Sequence, residues 1–261
     1  MEDRLPHGRA GGGLSASEPA EPLHPVGRDA GRMDAFILAN TALSVPPHVP
    51  EIRLRLASEA FGLWQRTEEE LATLGLPPPF WAFAWAGGQA LARYLLDNPG
   101  VVRGREVIDV GTGSGLAAIA AARAGARRVH ACDTDAFAQR AASLNAAVNG
   151  AAITVCGEDV LARSPFDPAS PFAAILGAGP TVVLLGDLFY EPALARGMRN
   201  LAERLCARGH GVFVGDPSRA YLPRDGVLHE LAVYEVPVTR ALEDAEVRRS
   251  AVYEFRHKDF A

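Results

Sequence analysis

Glu106-Val-Ile-Asp-Val-Gly-Thr-Gly-Ser-Gly115, taken together with Arg127 to Asp135, decides the fold. Val107, Ile108 and Val110 form a short apolar run of the kind that makes a buried strand. The run carries Asp109 near its end and breaks into Gly111, Gly113 and Gly115. An alanine-rich helical pattern follows, then a second apolar run, Val129-His130-Ala131-Cys132, ending on Asp133. Strand, glycine turn, helix, strand and acid make one nucleotide-binding half of a doubly wound sheet. A dinucleotide site wants G-x-G-x-x-G, whose last glycine lets the helix start close under a pyrophosphate. Here the spacing is G-x-G-x-G, with an acid two residues before the first glycine. That turn suits a ligand with no phosphate and a cationic amino-acid end, and S-adenosylmethionine is such a ligand.

Each position has a chemical reason. Asp109 can take an ammonium directly or through water by a charge-assisted hydrogen bond. Gly111 and Gly113, with Thr112 between them, let the backbone come close to a ligand. Asp133, at a strand end, can accept two ribose hydroxyls. Glu158-Asp159 follow a third strand candidate, Ile153 to Cys156, and are placed to receive an adenine amino group. The bland alternative is that the glycines only turn the chain and the acids only cap helices.

The rest of the chain extends this pattern. Strands are expected at 105–110, 127–132, 152–156, 182–187 and 210–215, with helices at 115–124, 136–149 and 191–207. Leu228 to Val238 and Ser250 to Arg256 alternate with no helix between them, so they read as an antiparallel pair closing the sheet edge. Ile52, Leu54, Leu56, Ala60, Leu63 and Trp64 recur near a 3.6-residue period, which predicts a helix from Glu51 to Leu74. Trp85 to Asp97 predicts another. Leu161 to Thr181, with four prolines, reads as a loop. Residues 1–32 lack apolar periodicity and read as disordered, with Met33 opening an N-terminal helical segment to residue 100 and the core filling 101–261. The extension is too acidic for a transit peptide.

Composition narrows the partners. The net charge of −5 gives no basic footprint for nucleic acid. No apolar run approaches the ~20 residues a bilayer span needs. The three cysteines show no metal-ligand spacing and read as reduced thiols of a cytosolic protein. Only Lys258 among the 26 basic residues is a lysine, which reads as a GC-rich bacterial coding sequence.

A second constellation follows the buried strand Val182 to Gly186. Asp187 and Tyr190 leave its carboxyl end, where open α/β sheets hold ligands. Asp187 can attract and orient an incoming amine, and Tyr190 can wall its channel. Alternatively, Asp187 caps helix 191–207 and Tyr190 merely packs.

The chain resembles the seven-strand methyltransferases that modify lysines of the electron transfer flavoprotein beta subunit. The matching pieces are Pro79-Phe80-Trp81-Ala82, Trp85-Ala86-Gly87-Gly88-Gln89-Ala90-Leu91, the Asp109–Gly115 turn, Gly186-Asp187-Leu188-Phe189-Tyr190 and Gly215-Asp216-Pro217-Ser218-Arg219, in a match from about Pro50 to Phe255. Ala86, where the family usually has proline, and the longer proline-rich segment before Val182 depart from it. The resemblance implies a Rossmann-like seven-stranded sheet, S-adenosylmethionine as donor, and a protein-lysine acceptor on that beta subunit. It also implies that Trp85 lies against the donor, beside Asp109, Gly111, Thr112, Gly113, Asp133, Asp159 and Gly186. Trp85 as a helix anchor, and Gln89 as either a buried hydrogen-bonder or an exposed polar residue, stay open. So do a small-molecule or ribosomal-protein acceptor and a non-catalytic scaffold.

Overall fold

A computed structural model describes residues 29–58, 77–243 and 245–256. Its centre is one seven-stranded sheet. The strands are β3 (Glu106–Val110), β4 (Arg128–Cys132), β5 (Thr154–Cys156), β6 (Val182–Gly186), β7 (Gly211–Asp216), β8 (Leu228–Pro237) and β9 (Val247–Phe255). They lie in the order β5-β4-β3-β6-β7-β9-β8. The first five run parallel, and β9 pairs antiparallel with both β7 and β8. Strand order therefore reverses at β3, and the crevice beyond the β3 and β6 carboxyl ends is where such sheets bind ligands.

Alternation along the strands builds two cores. Ile108, Val110, Val183 and Leu185 face one side, under α5 (Pro171–Gly177) and α6 (Pro192–Cys206). Val107, Val129, Val182 and Leu184 face the other, under α2 (Ala86–Asp97) and α3 (Leu116–Arg123). Every residue of α3 from Leu116 to Ala121 is buried, which is why this helix is apolar all round. α4 (Ala136–Asn149) starts at Asp135, whose carboxylate accepts from Phe137 N.

The structure corrects four expectations. Residues 51–58 are not helical: β2 (Leu54–Leu56) pairs antiparallel with β1 (Ala42–Ser44). Ile52 and Leu54 are buried, and Arg53 and Arg55 donate their backbone N–H groups to Asn149 and Asn145. Ile52, Leu54 and Leu56 fit a period of two as well as one of 3.6, and pairing decided between them. Residues 59–74 of the expected helix lie outside the described residues. The stretch read as loop contains α5, started by Ser170 as N-cap and Pro171 at the first helical position. One helical turn, α7 (Arg240–Glu243), does separate β8 from β9. Finally, the boundary expected at Met33 falls inside α1 (Ala30–Asn40).

Asp29 caps α1 by accepting from Gly31 N and Arg32 N. The helix is held on α4 by Met33, Ile37 and Phe36 against Phe137, and by Arg140 paired to Asp34 at 2.6 Å. Asp29→Ala should lower Tm by about 2–4 °C, as loss of one cap does in a chain of this size. Asp29→Asn should stay within 1 °C of the parent in the same scan, roughly the spread expected of equivalent caps.

Candidate active site

The crevice at the switch point is a cavity of about 560 Å³. Its walls include Gly111 and Gly113 from the turn after β3, Cys132 and Asp133 from β4, and Glu158 and Asp159 after β5. Gly186, Asp187 and Tyr190 come from β6, Arg219 from the loop after β7, and Trp85 from the start of α2. All the expected site residues line this cavity except Asp109 and Thr112.

Those two stand behind the turn. The Asp109 carboxylate accepts from the Thr112 hydroxyl at 2.5 Å and from Ala118 N at 3.1 Å, so it ties the turn to α3. Burial pushes its pKa up to about 7. Both bonds fall on Oδ2, so Asp109 braces the turn through that oxygen. Gly111, Gly113 and Gly115 all have positive φ, which no β-branched residue would hold comfortably. Asp133 accepts from Gly113 N at 2.9 Å and from Asp135 N at 3.0 Å, linking the β3 turn to β4 while facing the cavity. Burial raises its pKa as well. Asp159 accepts from Leu161 N at 2.8 Å at the cavity wall.

The other half is organised by the start of α2. A helix leaves its first N–H groups unpaired, and Trp85, the N-cap residue, offers no side-chain acceptor. Carboxylates from elsewhere fill the gap. Asp187 accepts from Gly88 N at 2.7 Å, and Glu243 from Ala86 N at 3.4 Å. Arg219 bridges the two acids, at 2.7 Å to Asp187 and 3.1 Å to Glu243, and lies 5.6 Å from the Trp85 ring centre. Burial still pushes Asp187 up to about 6, against the pull of Arg219. Asp187 therefore caps α2 and not helix 191–207, whose N-cap is Glu191. Both of its oxygens are engaged, Oδ2 by Gly88 N and Oδ1 by Arg219.

The packing that allows this is close. A Cβ on Gly87 would lie 2.3 Å from the Gly215 carbonyl oxygen and 2.6 Å from Asp187 Oδ2. A Cβ on Gly215 would lie 2.2 Å from the Gly87 carbonyl oxygen. Gln89 is buried, donating to Ala84 O and accepting from His48 N, which resolves its open assignment. Asp216 makes a turn by accepting from Arg219 N at 2.6 Å and does not line the cavity. His130 pairs with Glu106 at 3.2 Å, at the opposite end of the strands from the cavity. Tyr190 is 44% exposed, its ring 5.7 Å from Phe80, so the two aromatics stand at the mouth. Arg219 and Glu243 were not anticipated as site residues. Arg219 sat in a quoted motif without a role, and no sequence signal relates Glu243 to Ala86, 157 positions away.

This fold and this cavity define a Rossmann-like methyltransferase with a seven-stranded sheet. The family model for ribosomal protein L11 methyltransferase (PrmA) matches residues 89–172. The electron transfer flavoprotein beta subunit lysine methyltransferase of Danio rerio is 38% identical over 229 residues, covering 85% of this chain and 83% of its own. That of Xenopus laevis is 38% identical over 85% of this chain and 86% of its own. For Homo sapiens the identity is 33%, over 85% and 81%. The chain belongs to the electron transfer flavoprotein beta subunit lysine methyltransferase family. These relatives are animal proteins, which overturns the expectation of a bacterial cytoplasmic one. Arginine preference reports the base composition of a coding sequence and identifies neither lineage nor compartment.

Gly87→Ala should cost about 3 kcal/mol or more and about 10 °C or more in Tm, because its Cβ meets fixed backbone. Gly88→Ala is the control: its Cβ meets only Asp187 Oδ2, at 4.0 Å. It should hold or raise Tm, since alanine favours the helix. Equal losses in the two variants would remove the close approach as the reason for the glycine pair.

Proposed function

We propose that this chain transfers a methyl group from S-adenosylmethionine to lysine side chains of the electron transfer flavoprotein beta subunit. The observation that carries the reading is the charge of the cavity wall. Among the described residues, Asp133, Asp135, Glu158, Asp159 and Asp187 line it, against Arg219 alone among lysines and arginines. Such a wall attracts cations and repels phosphate. S-adenosylmethionine supplies an electrophilic methyl on a sulfonium sulfur, and both it and an incoming lysine are cations.

The residues divide across β3. On the β4–β5 side, Asp133 receives ribose hydroxyls and Asp159 the adenine edge. On the β6–β7 side, Tyr190 and Phe80 wall the acceptor channel, and Asp187 fixes that wall through α2 and Arg219. Lysine must lose its proton before it can attack, and a channel that excludes water beside a positive charge favours the neutral amine. In-line displacement rewards alignment more than strong acid or base groups. The L11 methyltransferase model matches only residues 89–172, the donor side, and stops short of β6 and Tyr190. The acceptor reading therefore rests on the relatives that span most of the chain.

Purified electron transfer flavoprotein beta subunit, incubated with the protein and labelled donor, should gain methyl groups on lysine by mass spectrometry. No labelling under conditions where the donor binds would overturn the acceptor while leaving the donor site standing. Asp133→Ala should bind donor at least tenfold more weakly, since lost charge-assisted hydrogen bonds are worth about 1.5–3 kcal/mol each. Asp187→Asn should separate the two halves. It keeps an acceptor for Gly88 N but loses the charge opposite Arg219, so turnover should fall tenfold or more with donor affinity within about twofold.

A further inference from the structure

Cys132 and Cys156 close the β4 and β5 strands as register partners, so their side chains stand on the same face of the sheet. Their sulfur atoms are 2.7 Å apart. Neighbouring strands lie about 4.8 Å apart, within the Cα separation of about 4.4–6.8 Å that a disulfide spans. Closing to a bond of about 2.05 Å needs a shift of well under 1 Å. Cys132 is buried but lines the donor cavity, immediately before Asp133, whereas Cys156 is half-buried. We propose that Cys132 and Cys156 form a redox-active dithiol at the donor site, which hydroperoxides convert to a disulfide and which bound donor shields.

The chemistry balances. The Cys156 thiolate attacks one peroxide oxygen, forming S–O and breaking O–O, and the other oxygen leaves as alcohol with a proton. The Cys132 sulfur then attacks the sulfenic sulfur, forming S–S and releasing water. Two thiols and one hydroperoxide give one disulfide, one alcohol and water. The order of attack follows the local bonding. With both groups as thiols, Cys156 donates to Cys132 Sγ. Once Cys156 is a thiolate the Cys132 thiol donates to it, which holds the Cys156 pKa below its ordinary value, while the same bond and burial raise Cys132. A thiolate is the nucleophile in such oxidations. Cys206 is an internal control: it donates to Phe255 O at 3.3 Å, and burial pushes it up to about 11. The shielding part rests on the donor reading above, because it needs a ligand lying against Cys132. The dithiol part does not.

The test uses the full-length reduced protein, hydrogen peroxide, alkylation of remaining thiols and peptide mapping by mass spectrometry. A Cys132–Cys156 cross-link should form first, reversible by dithiothreitol, with Cys206 still alkylated. Cys156→Ser should abolish it, and Cys206→Ser should leave it unchanged. Earlier oxidation of Cys206, or only intermolecular bonds, overturns the dithiol. Saturating S-adenosylhomocysteine should slow cross-linking at least fivefold. Calorimetry on the same sample separates the remaining outcomes. Binding without slowing overturns the shielding, and absence of binding counts against the donor site itself, while the cross-link still decides the dithiol.

Discussion

The start of α2 lies against the carboxyl ends of β6 and β7 with no room for a side chain, and the site is arranged around that contact. Gly87 and Gly215 meet backbone to backbone. The approach buries the first turn of a helix, and unpaired N–H groups in a buried place are costly. Asp187 and Glu243 meet that need from two other elements, and Arg219 offsets their charge. Asp187 adopts φ 58° to do so, with its own N–H on Gly215 O at 2.9 Å. Aspartate is among the few residues that tolerate this conformation. Trp85, one residue ahead of the helix, is thereby aimed into the cavity beside Arg219.

The β3–β4 wall of the cavity is built by a similar economy of backbone groups. Asp109 and Asp133 hold the glycine turn from behind and from β4, so that its open face and the Asp133 carboxylate border the cavity. Burial raises the pKa of both acids. A cationic ligand near Asp133 would relieve part of that burden, which is a reason for such acids to persist beside a sulfonium site.

Strands β3, β4, β6 and β7 were legible because buried parallel strands are nearly continuous apolar runs. The turn after β3 was legible because three spaced glycines at the end of an apolar run mark a tight strand-to-helix turn, and all three have positive φ. Asp187 and Tyr190 were located by the rule that ligands sit at strand carboxyl ends. What Asp187 does was not legible. Its partners are Gly88 and Arg219, 99 and 32 positions away, and no periodicity links them. The bracing role of Asp109 was not legible for a related reason: no spacing rule shows that Ala118 N and the Thr112 hydroxyl share one oxygen of its carboxylate. The β1–β2 pair and α5 were lost to local ambiguity, the first between periods of two and 3.6, the second because prolines outweighed the Ser170-Pro171 start signal.

The amide of Gly88 reports directly on whether Asp187 organises the site by capping α2. In the parent protein it should exchange slowly with solvent. In Asp187→Ala it should exchange about tenfold faster or more, as loss of a charge-assisted partner predicts, while Asp187→Asn keeps most of the protection. Equal exchange at Gly88 in all three proteins would contradict the account.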